Sequence, residues 1–343
     1  MTEEVVKSIY RITVPLPNNP LRYLNAYFIR GRESNLLIDT GFDHEVCRNA
    51  LLSEIHTLGC SMMNTDILLT HLHGDHSGLA RSICAKNRKI YISRVDWEAL
   101  KRYEDGESDL AQQIRYRQEG TPETVIFGVE KYVDTMVDYA DPRVVRLEDH
   151  AVLTIDGYEM ELLLCCGHTP GNCMLWLESE GIMFTSDHIL FSISPNIIAY
   201  PYVDNSLKDY IDSLKRVYQY PVRLALPGHR ETSVDYRARI AALINHHRIR
   251  LSEVLQIIKE SPGLTGYQIA TRMSWNIHEN RWESFPSTQK WFASGECFSH
   301  LDYLLSLGLI ERRIDDGQIR RYYPKDRSLE EEYAWQESFM RIL

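Results

Sequence analysis

The chain has 343 residues, 44% of them hydrophobic, enough to bury a substantial core and to predict two domains. Charged residues at 25% and aromatics at 10% suit a soluble globular protein, and the net charge of −10, carried mostly by residues 1–240, disfavours polyphosphate backbones as partners. Seven cysteines without a C-x-x-C spacing argue against a disulfide framework or a zinc ribbon, and no apolar run approaches a membrane span, so a cytoplasmic protein with reduced thiols is expected.

The first half reads as short strands. The N-terminus "MTEEVVKSIYRITVPLP" is acidic and lacks the apolar core of a signal peptide. "IYRITVPL" (9–16), "LNAYFIRG" (24–31) and "SNLLIDTG" (34–41) are β-rich runs ended by Pro, Asn or Gly. Residues 44–58 follow as a helix, with Val46, Ala50, Leu51 and Ile55 expected on one face. "DILLT" (66–70) and "KIYIS" (89–93) predict buried strands, and the polar stretch 95–138 predicts two or three helices inserted into the sheet pattern. Strands return at 143–147, 151–155, 158–165, 173–178 and 181–186, then a helix at 206–219 and the strand "VRLALPGH" (222–229). From about 235 the pattern turns helical, at 235–259, 265–273 and 287–307, before a strand pair around the turn Asp315-Asp316-Gly317.

The stretch "LLTHLHGDHSG" (68–78) crowds His71, His73, Asp75 and His76 together. Buried imidazoles and carboxylates each need a partner, and a metal ion is the plainest one. His71 and His73, two apart on extended chain, would project from one face, and the chain turns at Gly74, so that Asp75 and His76 come from that turn or the first turn of the next helix and point at a neighbouring ion. Further candidates stand at strand ends: His168 in "CCGHTPGN", Asp187 in "FTSDHIL" and His229 in "ALPGH". His56, His150 and His278 read instead as satisfied core histidines. His188 is either a lining residue of a substrate cleft or a structural one, and Cys165 and Cys166 read as small apolar packing.

"HLHGDH" followed by His168, Asp187 and His229 resembles the metallo-β-lactamase superfamily, whose pattern is H-x-H-x-D-H, then His, Asp and His. The upstream "LLIDTG" matches that superfamily's strand-end aspartate, here Asp39, and the resemblance covers about residues 8–230. It implies an αββα sandwich with a binuclear metal site at one edge. His71, His73 and His168 would hold one ion, Asp75, His76 and His229 the other, with Asp187 bridging and Asp39 orienting the ligands. Asp75 and Asp187 would be the catalytic carboxylates. The donors are all nitrogen and oxygen, so two divalent ions are expected, zinc first, with manganese and iron as alternatives. Such ions share a water, lower its pKa towards ~7 and yield a hydroxide nucleophile. Redox di-iron members carry Glu at the position of His73, so hydrolysis is the expected chemistry.

Residues 1–234 are therefore expected to form the catalytic domain, with its helical insert at 95–138, and residues 235–343 a winged-helix-like domain. The latter, together with "YIDSLKRV" and "LPGH", resembles the extension of two-domain β-lactamase-like hydrolases, one branch of which cleaves single-stranded RNA. About 40 residues separate Asp187 from His229, too few for the inserted β-CASP domain of the superfamily's large nucleases. The expected recognition helix "STQKWFASGECFSHLDYLLSL" offers one lysine against Glu296 and Asp302. Arg312, Arg313, Arg320 and Arg321 lie on the wing, with Asp315 and Asp316 at its tip. This balance weighs against nucleic acid without eliminating it and favours a small ester, thioester or lactone as substrate. A single-strand endoribonuclease is the alternative, and a non-catalytic metal-sensing regulator would fit a degraded ligand set better than this complete one. The C-terminal segment would wall the cleft, pack on the sandwich or form a contact in a homo-oligomer. Tyr200 and Tyr202 are candidates for the general acid.

Overall fold

The computed structural model describes residues 2–126, 141–232, 235–275 and 281–326. These divide into two compact units, one formed by residues 2–105, 141–195, 220–232 and 235–236, the other by the remaining described residues. The sequence divides the chain at 234/235, whereas these units take 106–126 and 196–219 together with the C-terminal segment. The part of the expected insert at 127–138 lies outside the described residues, as does His278.

In the first unit, β1 (Thr2–Val6), β2 (Ile9–Pro15), β3 (Tyr23–Ile29) and β4 (Asn35–Ile38) pair antiparallel in sequence order. Helix α1 (Glu45–Thr57) then crosses to β5 (Thr65–Leu68), which is parallel to β4. The two one-turn helices α2 (Gly74–Ser77) and α3 (Ala80–Ile83) follow, then β6 (Ile90–Ser93) and α4 (Arg94–Glu104). With β7 (Val144–Leu147), parallel to β6, these strands make a seven-stranded sheet. A second sheet of five strands has the order β12-β11-β10-β9-β8, from β8 (Val152–Ile155), β9 (Tyr158–Leu164), β10 (Cys173–Leu177), β11 (Ile182–Ser186) and β12 (Leu224–Pro227).

Period-two alternation puts the two faces of the first sheet into different cores. Leu36, Ile38 and Leu68 pack with Leu162, Leu175 and Phe184 of the second sheet. Leu37, Ile67 and Leu69 pack on the outer side against Leu51 and Ile55 of α1 and Leu100 of α4. The layers are thus those of a sandwich. The inward face of α1 is Cys47, Leu51 and Ile55, a spacing of four. Val46, expected there, is 46% exposed: it lies one position, about 100°, round the helix from Cys47, and its N–H donates to the His44 ring. Two of the expected core histidines are also corrected: His56 and His150 are exposed, and His150 pairs with Glu161.

The second unit holds helices α5 (Glu107–Gln118), α6 (Glu123–Ile126), α7 (Ser206–Val217), α8 (Tyr236–Glu260), α9 (Gly266–Ala270) and α10 (Ser287–Ser306). A hairpin of β13 (Ile310–Ile314) and β14 (Arg320–Pro324) closes it, and a lone bridge joins Leu264 to Tyr322. Tyr116 of α5 stacks on Trp291 of α10, which explains why the apolar face of an inserted helix groups with this unit. Buried Glu119 accepts from the Tyr322 hydroxyl and pairs with Arg115 and Arg320. Arg313 pairs with Glu311, and Arg321 with Asp315, so three of the four wing arginines are held by carboxylates of this unit. Tyr200 is buried and Tyr202 exposed, both in this unit. No helix among the described residues is long and apolar enough to cross a membrane.

Candidate metal centre

The site is assembled at the carboxyl ends of strands, where the chain leaves the sheets and its side chains are free of ladder pairing. Asp39 follows β4, the His71–His76 segment follows β5, His168 follows β9, Asp187 follows β11 and His229 follows β12. The apolar run of β5 ends at Thr70, and α2 starts at Gly74, so Asp75 and His76 occupy its single turn. All seven candidate side chains converge. His71, His73 and His168 form one group of donors, Asp75, His76 and His229 a second, and His71, His76 and Asp187 a third that overlaps both.

Within the first group His71 Nε2 faces His73 Nδ1 at 3.1 Å. Within the second His76 Nε2 faces His229 Nε2 at 3.1 Å, and Asp75 Oδ2 lies 3.2 Å from His229 Nε2. Asp187 spans the two: Oδ2 is 3.7 Å from His168 Nε2 and 3.5 Å from His229 Nε2, and Oδ1 is 3.5 Å from His76 Nε2. Its Oδ1 is buried and accepts no hydrogen bond from the described residues. His71, His76 and His229 are fully buried, whereas His73 and Asp75 are half-buried and mark the side open to solvent.

The ring orientations have identifiable causes. His229 Nδ1 faces the Tyr23 carbonyl at 2.8 Å and must donate to it, which leaves Nε2 with a lone pair directed inward. His76 Nδ1 donates to Asp39 Oδ2 at 2.8 Å, which turns its Nε2 inward. Asp39 also accepts the Thr70 N–H and hydroxyl, each at 2.8 Å. Ser186 Oγ reaches Thr70 Oγ1 at 2.8 Å and Asn172 Oδ1 at 3.0 Å, so strand ends from both sheets are tied behind His71. Asp39, Ser186 and Arg230 all have left-handed backbone, which for non-glycine residues costs of order 1 kcal/mol each. The hydrogen bonds around Asp39 and Ser186 offset that strain.

The electrostatics ask for cations. Burial opposes charge throughout, yet His76 and His229 together hold the Asp75 carboxyl down to about 2. Asp187 is lowered further, by His229 and His76 against the effect of burial. Conversely, Asp187, Asp39 and Asp75 raise His76 well above the ordinary histidine range despite its burial. His71 goes the other way, lowered well below that range by burial and by His76, and burial and His168 push His73 down to about 3. Positive charge is therefore favoured beside the carboxylates and disfavoured on His71 and His73. A trio of nitrogen donors, a carboxylate-bearing trio and a shared carboxylate with an orphaned oxygen together fit two divalent ions.

Sequence reasoning missed Thr70, Ser186, Asn172, Asp96 and Thr169. The signal available was a polar residue closing an apolar strand, as in "ILLT" and "MFTS". Asp96, in the first turn of α4, is fully buried, and burial raises its carboxyl to about 6 against three hydrogen bonds that favour the anion.

The model of the metallo-beta-lactamase superfamily matches residues 20–229, more than half of the chain. Among curated proteins, "Probable metallo-hydrolase YqjP" of Bacillus subtilis is 25% identical over 325 residues, spanning 88% of this chain and 92% of that one. Among solved structures, the metallo-beta-lactamase family protein TTHA1429 of Thermus thermophilus is 26% identical with a TM-score of 0.78, covering 94% of this chain and 100% of that one. A beta-lactamase domain protein of Burkholderia ambifaria is likewise 26% identical, with a TM-score of 0.77 and coverages of 94% and 93%. With the matched segment running from β3 to β12 and including every strand-end candidate, the chain belongs to the metallo-beta-lactamase superfamily and has the fold and His/Asp edge site of its metal-dependent hydrolases.

Proposed function

We propose that the protein is a binuclear metal-dependent hydrolase acting on a small ester, thioester or lactone. The observation that carries this is Asp187, one buried carboxylate within 3.7 Å of a nitrogen from each histidine group. His71, His73 and His168 would hold one ion and Asp75, His76 and His229 the other, with zinc the first expectation. Ions bound there would supply an activated water at neutral pH and polarise the bond under attack. The chain itself sets the stage for that chemistry. Tyr23 and Asp39 select the tautomers of His229 and His76, and the half-buried His73 and Asp75 leave an open side for substrate.

The small substrate is supported by charge. The chain carries a net −10, and Arg313, Arg320 and Arg321 are engaged by carboxylates, which leaves little free positive charge on the hairpin for a phosphate backbone. The order α8, α9, α10 and hairpin supports reading residues 235–343 as a winged-helix-like domain with a role other than nucleic-acid binding. Free cysteines at all seven positions support a reducing compartment such as the cytoplasm. The test is metal analysis of purified protein followed by a screen of acyl thioesters, lactones and single-stranded RNA. Two ions per chain with turnover of an acyl substrate is the expected result. Cleavage of RNA alone would replace the proposal with an endoribonuclease.

A further inference from the structure

We propose that Asp96 is a positioning residue: it clamps together the two loops that carry His71, His73 and His168, and so sets the affinity of the ion those histidines would hold. This rests on the binuclear reading above.

The clamp is built from one side chain and one helix start. Asp96 Oδ2 accepts the N–H of Leu72, the residue between His71 and His73, at 2.9 Å. The same oxygen accepts the hydroxyl of Thr169, the residue after His168, at 2.8 Å. Oδ1 accepts the N–H of Gly171 at 2.5 Å, and Ser93 Oγ donates to the Gly171 carbonyl at 2.6 Å. Gly171 is thus held by both of its backbone polar groups. A Cβ there would lie 2.3 Å from Asp96 N and 2.4 Å from Ser93 Oγ, so the His168 loop sits against the start of α4 at a distance only glycine permits.

A buried aspartate in a first helical turn ordinarily satisfies N–H groups of its own helix. Here Ser93 Oγ caps the Asp96 N–H at 3.1 Å, and the carboxylate directs its bonds to two other loops. Leu72, Thr169 and Gly171 flank donors of the first group, and Asp75 and His76 of the second follow in the turn of α2. Asp39 is the counterpart, since it binds His76 of the second group directly. Asp39 also holds Thr70, beside His71, whereas the bonds of Asp96 go to residues flanking the first group, so the effect of Asp96 is expected on the ion of that group.

The experiment is zinc titration of the full chain against a chromophoric chelator, with cobalt absorption bands assigned to each half-site by His168→Ala and His229→Ala. Asp96→Asn keeps the shape but sets an amide N–H₂ against a backbone N–H. Thr169→Val removes a single bond of the clamp. Asp66→Asn is the matched control: Asp66 is buried near the start of β5 and is bonded to Arg88 and to the Lys89 N–H, and among the described residues it has no hydrogen bond to a candidate ligand. The parent is expected to bind two ions. Asp96→Asn should weaken the ion lost in His168→Ala by ~10–100-fold and leave the other within about threefold. Thr169→Val should weaken the same ion by a smaller factor, and Asp66→Asn should lower Tm without moving either affinity. Equal weakening of both ions, no weakening, or the same loss in Asp66→Asn overturns the clamp. If Asp96→Asn does not fold, Thr169→Val decides by the same criteria. A parent that binds fewer than two ions overturns the binuclear reading itself and the clamp with it, an outcome distinct from a two-ion parent with indifferent variants.

Discussion

A single methyl group at Gly228 should disable the site. An ideal Cβ on Gly228 would stand 2.6 Å from Asp187 Oδ1 and 2.9 Å from His76 Cε1, both inside the 3.0 Å that real Cβ atoms essentially never breach. Gly228 is absent from the positive-φ residues, so alanine meets no backbone penalty and the effect is purely steric. The backbone cannot retreat easily, because the Gly228 N–H donates to the Ser186 carbonyl at 3.0 Å and its own carbonyl accepts the Asn25 N–H at 2.7 Å. Asp187 or His76 must therefore yield by roughly 0.5 Å, at an overpacking cost of ~1–3 kcal/mol. Since a misplacement of ~1 Å at reacting groups costs on the order of 10²-fold in rate, Gly228→Ala should lose ~10–100-fold in turnover. Zinc affinity should fall in the same variant, because the displaced groups are candidate ligands. The assays are thermal unfolding, zinc titration and turnover of the substrate found by the screen. A Gly228→Ala protein that holds two ions with parental affinity and turns over within about threefold of the parent would refute the placement of Asp187 between the two groups.

Asp187→Ala should keep the fold, bind at most one ion tightly and lose at least ~10²-fold in rate, and a fully active variant would remove the binuclear reading. The rate should rise with pH through an apparent pKa that moves when zinc is exchanged for manganese; a profile indifferent to the metal would assign the titration to a protein side chain. In the second unit, His300 Nδ1 donates to the Glu296 carbonyl, so its Nε2 accepts from His247 Nδ1 at 3.2 Å, and both rings are buried and neutral. Burial pushes His300 down to about 3 and His247 well below the ordinary range, so the unfolded chain binds protons first. Their stabilisation is complete above pH ~6.5 and is lost as pH falls, by up to ~1.4 kcal/mol per unit for each ring. Urea unfolding at pH 7 and pH 5 should show this loss in the parent and a smaller one in His247→Gln, and equal losses in the two proteins would contradict it. Finally, Arg312→Ala, Arg313→Ala and Arg321→Ala combined should change turnover of an acyl substrate by less than about tenfold, or ~1.4 kcal/mol. Arg320 is left in place because buried Glu119 needs it, and a collapse of activity with a strong salt dependence would favour the nuclease.

The candidate ligands were legible because metal chemistry restricts residue type, and strands present such residues only where an apolar run stops. His168, Asp187 and His229 each follow such a run, and "HLHGDH" supplies four more donors within six positions. The strands from β2 to β12 were legible for a similar reason: their apolar content exceeds what a loop can leave in water. β1 was not, since "TEEVV" has little to bury; it is a strand because its backbone pairs with β2, Thr2 opposite Ile12. The one-turn helix α3 is too short for periodicity to register, and α2 was legible only as a turn or helix start at Gly74.

Residue types and their order by themselves determined the strand and helix runs, the seven candidate donors and the net negative charge, whereas the sandwich was implied by the resemblance those donors carry. Only the tertiary structure decided that Asp39 bonds His76 while Asp96 bonds the chain beside His71, His73 and His168, that Thr70, Ser186 and Asn172 lock the strand ends together, and that Glu119 binds Arg320 of the hairpin. A threonine, serine or buried acid has no fixed partner in the sequence. Its hydrogen bonds go to whatever donor the fold places within about 3 Å, and that placement comes from the packing of sheets whose strands lie far apart in the chain.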